Sequence, residues 1–471
     1  MSKGRQRKLL TLKKEDMKLK LDSFQRKHFI WFFSIFLLIF LFGIAISFAC
    51  PSSTRQITQV KKKNQKGTIL IKDSTGELES LNQEVFFNVI IENKLDKKID
   101  EELLFNVTLQ GYNPKKKKWD TIDRYGLKKK TISCSPKSDC KPVNLIDIPF
   151  IIYYNYSMNI EVLPSKNQNF FTQLNYEILY MNTNFTIFEM FVRYMFLILT
   201  FTLIIIYTNI MKKIQWSYFS TEQKLMYLSL ILQTLFNNPL FPLTILVRNY
   251  SFIVIDMLFI SFQFTGLMFL SIYLLDCYQH PKHSRKFSKF YLPKIIFSST
   301  LFICFSVVLI WPQTHNLEDE KYSSVDSIPL YLFFIVISII CFILYLIYFC
   351  FIGFNGYTNI HSQKTRKRLY FMFWFNLLLL LFLGIIFLSG MLRKINGSTQ
   401  LFLIIFITFN TFNVFLLFLI LPSNSVLRKI NRGYIFLPPH KYEPIAPYTQ
   451  DPENEPIIEE LSIDESEEKK Y

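Results

Sequence analysis

Glycine is scarce in this chain, 13 of 471 residues, histidine is scarcer at 6, and the catalytic patterns built on them are missing. There is no phosphate-cradling P-loop, no dinucleotide glycine fingerprint, no G-x-S-x-G elbow and no H-E-x-x-H. Nothing in the residues speaks for an enzyme, a bound cofactor or a metal centre. His280 and His283 form an H-x-x-H, but in a basic loop with no acidic or cysteine partner, so no metal is expected there. Cysteine is sparse as well. Of 7, Cys277, Cys304, Cys341 and Cys350 fall in or beside long apolar runs, where a thiol packs as a small apolar group, and Cys50 ends the first such run. Cys134 and Cys140, in SCSPKSDCK, are the remaining pair. A small disulfide loop is expected of them; a metal pair is the alternative, with no histidine nearby to complete it.

Acidic residues are in deficit, 36 against 53 Lys and Arg, for a formal charge of +17. Such an excess can mark a nucleic-acid binder, but its placement argues against that. The hydrophobic half of the composition, including 50 Phe, is gathered into blocks. Runs of membrane-spanning length cover 29–50, 190–211, 222–246, 252–277, 291–311, 329–354, 368–392 and 399–422. The ten Lys and Arg of residues 1–28 stand directly before the first run, which places the N-terminus in the cytosol. Alternation then makes 212–221, 278–290, 355–368 and the C-terminal tail cytosolic, and the loops so assigned are the Lys- and Arg-rich ones. The charge is a topology signal. A basic N-terminus (1–28), a signal-anchor helix (29–50), a luminal domain (51–189), a seven-helix membrane domain (190–422) and a cytosolic tail (423–471) follow. A cleaved signal peptide is the alternative for the first run, which is long for that role.

The polar segment 51–189 carries short alternating runs, EVFFNVIIE (84–92), LLFNVTLQGY (103–112), FIIYYNYSMNIEVL (150–163) and QLNYEILYM (173–181). These are strand-length and rich in β-branched and aromatic residues, and GYNPKKKKWDTI (111–122) reads as a hairpin turning at Asn113-Pro114. A β-sandwich is expected. Sequons fall at Asn106, Asn155, Asn184, Asn249 and Asn396, all on the luminal side of this topology; Asn106 and Asn155 are the candidates for glycosylation.

Within the third apolar run lies FNNPLFPL, Phe236 to Leu243. Pro239 and Pro242 free carbonyls near Leu235 and Asn238, which the amides of Asn237 and Asn238 could satisfy. A packing kink and a broken helix walling a polar cavity both fit. Asp256, Asp276 and Arg193 lie near helix ends, where snorkelling to water is expected, and Gln233, Gln263, Asn376, Asn410 and Asn413 are placed for interhelical hydrogen bonds.

WSYFSTEQK at 216–224, followed by LFNNPLFPLTILV at 235–247, resembles the second and third membrane helices of the Wntless-like family. KFYLPKIIF at 289–297 with LIWPQTHNLEDEKY at 309–322 does so too, and FQRKHFIWFF at 24–33 is similar to the transmembrane protein 181 branch. The resemblance covers most of 20–440 in architecture. It implies a luminal β-sandwich like that of Golgi-dynamics domains, packed on a seven-helix bundle like that of G-protein-coupled receptors. It also implies secretory-pathway trafficking, since Wntless escorts lipid-modified Wnt proteins; the transmembrane protein 181 branch has no defined cargo and is linked to bacterial toxin entry.

The tail opens basic, turns proline-rich and then acidic, a profile of disorder. Tyr434 with Leu437, and Tyr442 with Ile445, fit the tyrosine-x-x-apolar pattern that clathrin adaptors read. The expected partners are thus the bilayer, a luminal cargo or ligand, a lipid within the bundle, and adaptors on the tail. A sorting or cargo receptor is the leading function and a ligand-activated seven-helix receptor the alternative.

Overall fold

The structure, a computed structural model, describes residues 11–12, 19–62, 69–91, 98–113, 116–136, 140, 142–148, 151–163, 173–212, 214, 216, 219–247, 249–280, 286–318, 329–360, 363–392, 399–431 and 435–436. After a two-residue strand β1 (Thr11–Leu12), helix α1 runs over Arg26–Ala49. Strands follow as β2 (Thr54–Lys62), β3 (Ile69–Ser74), β4 (Val85–Ile91), β5 (Ile99–Asn113), β6 (Lys118–Cys134), β7 (Val143–Ile148), β8 (Asn155–Leu163) and β9 (Gln173–Met181). The helices are α2 (Thr183–Met211), α3 (Thr221–Phe236), α4 (Phe241–Val247), α5 (Tyr250–Gln279), α6 (Leu292–Glu318), α7 (Pro329–Asn359), α8 (Gln363–Leu392), α9 (Thr399–Ile420) and α10 (Asn424–Asn431), before β10 (Ile435–Phe436).

The strands form two four-stranded antiparallel sheets, in the orders β2-β9-β4-β7 and β3-β8-β5-β6. Period-two alternation turns Val85, Phe87, Val89 and Ile91 of β4 toward Leu103, Phe105, Val107 and Leu109 of β5, and one apolar core joins the two sheets. This is the expected sandwich, and β5 and β6 form its expected hairpin across Asn113↔Lys118. Three strands have no counterpart in the sequence reading. β2 is an edge strand with many polar residues, and β3 and β7 are each six residues long. The run 150–163 is a strand only from Asn155. Cys134, ending β6, is bonded to Cys140, and both are buried in the sandwich core.

Among the described residues eight helical spans are long and apolar enough to cross a membrane, one before the sandwich and seven after it. The central one is α5, which packs against α3, α4, α6, α7 and α8. Nearly every residue of its second half is buried, as expected of a helix apolar on all sides. The first helix, α1, lies against α8 and α9 through a phenylalanine face. Phe29, Phe32, Phe36 and Phe40 recur at helical spacing and meet Phe371, Phe415, Phe375 and Phe382, with centroids 4.4–5.3 Å apart. Its other face, including Trp31, Leu38 and Phe42, is exposed.

Two boundaries differ from expectation in ways that matter below. Helix α2 begins at Thr183, so Glu189 lies inside it rather than at the end of the preceding domain. The third span is two helices, α3 and α4, interrupted at FNNPLFPL.

Candidate functional site

Glu189 and Arg193 are four residues apart on α2, hence on one face, and that face turns into the bundle. Arg193 is 4% exposed and donates through Nε and Nη2 to Glu189 Oε1, at 3.0 and 2.9 Å. On its other side Nη1 and Nη2 donate to the two carboxylate oxygens of Asp256 on α5, both at 3.0 Å. The ring of Phe241 from α4 lies 4.2 Å from the guanidinium carbon, and that of Phe406 from α9 lies 4.9 Å away. One arginine thus ties α2 to α5 by charge and to α4 and α9 by its flat face. The planar guanidinium suits this; an ammonium could not present two forks and a face at once.

Snorkelling, the expectation for Arg193 and Asp256, is corrected: both are buried, because each finds a partner at its own depth. The same holds at the far end of α5. Asp276 pairs there with buried Lys294 at 2.5 Å and with the exposed ring of His280 at 2.9 Å.

The interruption at FNNPLFPL supplies the next contacts. Helix α3 ends at Phe236 with Asn237 as its cap, and Asn238 takes a left-handed backbone, φ 48°. Asparagine tolerates that conformation because its short amide can bond locally. Here Asn238 Oδ1 accepts from the Leu240 N–H at 3.0 Å. The two carbonyls expected to need side-chain amides do not. Leu235 O accepts from the Asn238 N–H at 2.9 Å and Asn238 O from the Phe241 N–H at 3.1 Å. Pro239 directly follows the left-handed residue, and Pro242 sits in the first turn of α4, where a missing N–H leaves no bond unmade.

The amides are therefore free to reach other helices. Asn238 Nδ2 donates to Asp256 Oδ1 at 2.7 Å, joining the charged cluster. Asn237 and Asn410 of α9 exchange amide hydrogen bonds at 3.1 and 3.0 Å, and Asn237 also donates to Thr200 Oγ1 of α2 at 3.0 Å. One turn deeper, Gln233 Oε1 accepts from Gln263 of α5 at 2.8 Å and from Asn413 of α9, whose own oxygen accepts from Ser229 at 2.5 Å. Ser229, Gln233 and Asn237 recur every four residues, so α3 presents one polar stripe to α5 and α9. Gln233 Nε2 and Gln263 Oε1 are the buried amide atoms of this stripe that have no hydrogen-bond partner among the described residues.

The charged end of the network meets the sandwich. Asn182 caps α2, accepting from the Asn184 N–H at 3.2 Å and donating to the Ser52 carbonyl at 3.0 Å. Thr186 Oγ1 donates to the Leu81 carbonyl at 2.8 Å, and Asn82 Nδ2 to the Met181 carbonyl at 2.8 Å. Half-buried Glu84 directly precedes β4 at this junction, and burial together with the nearby Glu189 carboxylate pushes its carboxyl up to about 7.

The other candidates are scattered. Asn106 is exposed on the outer face of β5, 3.5 Å from Glu161 Oε2, whereas Asn155 is half-buried and its Oδ1 accepts from Thr75 Oγ1 at 3.2 Å. Asn376 bonds Ser271 across α8 and α5 at 2.8 Å. Tyr434, Leu437, Tyr442 and Ile445 lie outside the described residues. Glu189, Thr200 and Ser229 are the network members on the membrane helices that sequence reasoning passed over. A Glu-to-Arg spacing of four inside TIFEMFVRYMF was a readable signal for the first, lost because the domain boundary was drawn through it.

Against known proteins, residues 182–424 match the model of the Wntless-like transmembrane domain. Human transmembrane protein 181 is 25% identical over 336 residues, covering 68% of each chain. The match spans the whole network, from the Asn182 cap through Arg193, FNNPLFPL and Asp256 to Asn413. This chain is a multi-pass membrane protein of the Wntless-like family.

Proposed function

We propose that the protein is a sorting or cargo receptor of the secretory and endosomal pathway. In this reading the sandwich faces the lumen and takes a protein partner, the bundle accommodates lipid beside its polar stripe, and the cytosolic tail recruits clathrin adaptors. The observation that supports it is the junction. The sandwich is fastened to the cap and first turns of α2, directly against Glu84, Glu189 and Arg193, which in turn hold α4, α5 and α9. A partner that shifts the sandwich is thereby connected to four helices. Family membership and the absence of catalytic motifs in the sequence fit transport better than chemistry. The basic residues before α1 support this orientation.

Replacing Tyr434 and Tyr442 with Ala tests the trafficking half. The receptor reading predicts a steady-state shift of the full-length protein toward the cell surface, measured by surface biotinylation. An unchanged distribution would remove the tail from the mechanism.

A further inference from the structure

Strand direction fixes which end of the sandwich meets the membrane. β2 begins just after α1 and β9 ends just before α2, with Thr54 opposite Met181. Antiparallel pairing brings the start of β4 and the end of β7 to that same end. The short connections 75–84 and 149–154 carry the direction into the second sheet, so the ends of β3 and β5 and the starts of β6 and β8 stand there too. At 1.5 Å per residue the 29-residue α2 is about 43 Å long, close to the thickness of a bilayer with its headgroups. Its cap and first turn, bonded to Ser52 and Leu81, therefore stand in a headgroup layer, and this end of the sandwich stands there with them.

The second sheet ends in exposed aromatic and apolar side chains at this level. Tyr112 of β5 and Trp119 of β6 are opposed across the hairpin, with ring centroids 5.4 Å apart. Trp119 and Tyr154 are each 43% exposed and Ile152 is 69% exposed. The Tyr154 carbonyl accepts from the Leu78 N–H at 2.8 Å, which holds this connection beside the one that reaches α2. Charge around the patch is balanced, Lys116, Lys117 and Lys118 against Asp120, Glu77 and Glu79. Lys116 and Lys118 share Asp120, at 3.5 and 3.7 Å.

Exposed aromatic and apolar groups bordered by both signs of charge match the chemistry of a membrane–water interface. Tyr and Trp gather there because the ring is apolar and its polar tip stays wet, and lysine lays its stem on apolar surface while its ammonium keeps to water. We propose that this patch is a lipid-binding foot, in which Tyr112, Trp119, Ile152 and Tyr154 enter the headgroup layer of the bilayer that the helices span. The ligand is zwitterionic phospholipid. Its phosphate suits the three lysines and its quaternary ammonium suits the aromatic faces, while the balanced charge gives no preference for an anionic lipid. The foot is a second hold of the sandwich on the membrane, beside the joint at α2, and it is independent of the receptor reading.

The test places the full-length chain in phosphatidylcholine nanodiscs doped with a phosphatidylcholine that carries a photoactivatable diazirine on its headgroup. Lipid adducts are then mapped by mass spectrometry. The foot predicts adducts on residues 116–122 and 151–155 as well as on the membrane helices, and none at Leu70, which is 54% exposed at the opposite end of the sandwich. Trp119→Ser with Ile152→Ser alters only exposed side chains, and an unchanged unfolding midpoint checks that the sandwich is intact. That form should lose the adducts on the patch and keep those on the helices. Adducts confined to the helices in the unsubstituted chain would overturn the foot. Patch adducts undiminished by the two serines would overturn its assignment to these side chains.

Discussion

Arg193 is shared between two carboxylates that no other described cation neutralises, with Phe241 and Phe406 closing over its plane. Removing one member of such a buried set costs far more than removing the set, because the remaining charges lose their compensation. Arg193→Ala should therefore destabilise the protein by about 3–5 kcal/mol. Replacing the whole set (Arg193→Met, Glu189→Gln, Asp256→Asn) should recover most of that loss, and thermal unfolding in one detergent would compare the two. Glu84 gives a second prediction. Its carboxyl stands at about 7 against an ordinary 4.5, so the folded state holds its proton more tightly than the unfolded chain does. The resulting stabilisation is complete below about 4.5 and is lost as the pH rises through about 7. The melting temperature should fall across that interval, and Glu84→Gln should flatten the slope; an unaltered slope would remove Glu84 as its source.

At the scale of the element, the break between α3 and α4 depends on its asparagines. The sequence pattern treated the kink as a product of the prolines, to which the amides were additions. In the structure the chain turns at Asn238, whose left-handed backbone and bond to the Leu240 N–H make the corner, while the prolines occupy positions that need no donor. Asn238→Leu should cost about 1–2 kcal/mol for the backbone alone, and the lost bond to Asp256 should add to it. Asn238→Gly, which keeps the corner and loses only the bonds, should be the milder change when both are compared by thermal unfolding. This corner was half legible: the residues stood out, but their partners on α2, α5 and α9 are 18 to 173 residues away and local pattern carries no sign of them. The strands show the same limit. β4, β5 and β9 alternate cleanly because one face of each is core, whereas edge strand β2 carries polar residues through its length and β7, six residues long, places adjacent Leu145 and Ile146 in the core without alternation.

For the molecule as a whole, membrane spans were the most legible feature, because a run of about 20 apolar residues has few other uses. The sandwich followed from alternation, and the family from motifs that occupy the corner and its flanks. What composition could not show is that the sandwich, the charged cluster and the polar stripe are continuous. That continuity makes the receptor reading a statement about one connected body, in which a partner on the sandwich reaches the helices through the cap of α2. Affinity purification of the full-length protein in mild detergent, with protein and lipid mass spectrometry of what accompanies it, tests this most directly. The receptor reading predicts one secreted or lumen-facing protein that recurs in near-stoichiometric amount and is lost when Arg193→Ala loosens the junction. Repeated recovery of bulk membrane lipid alone would contradict it.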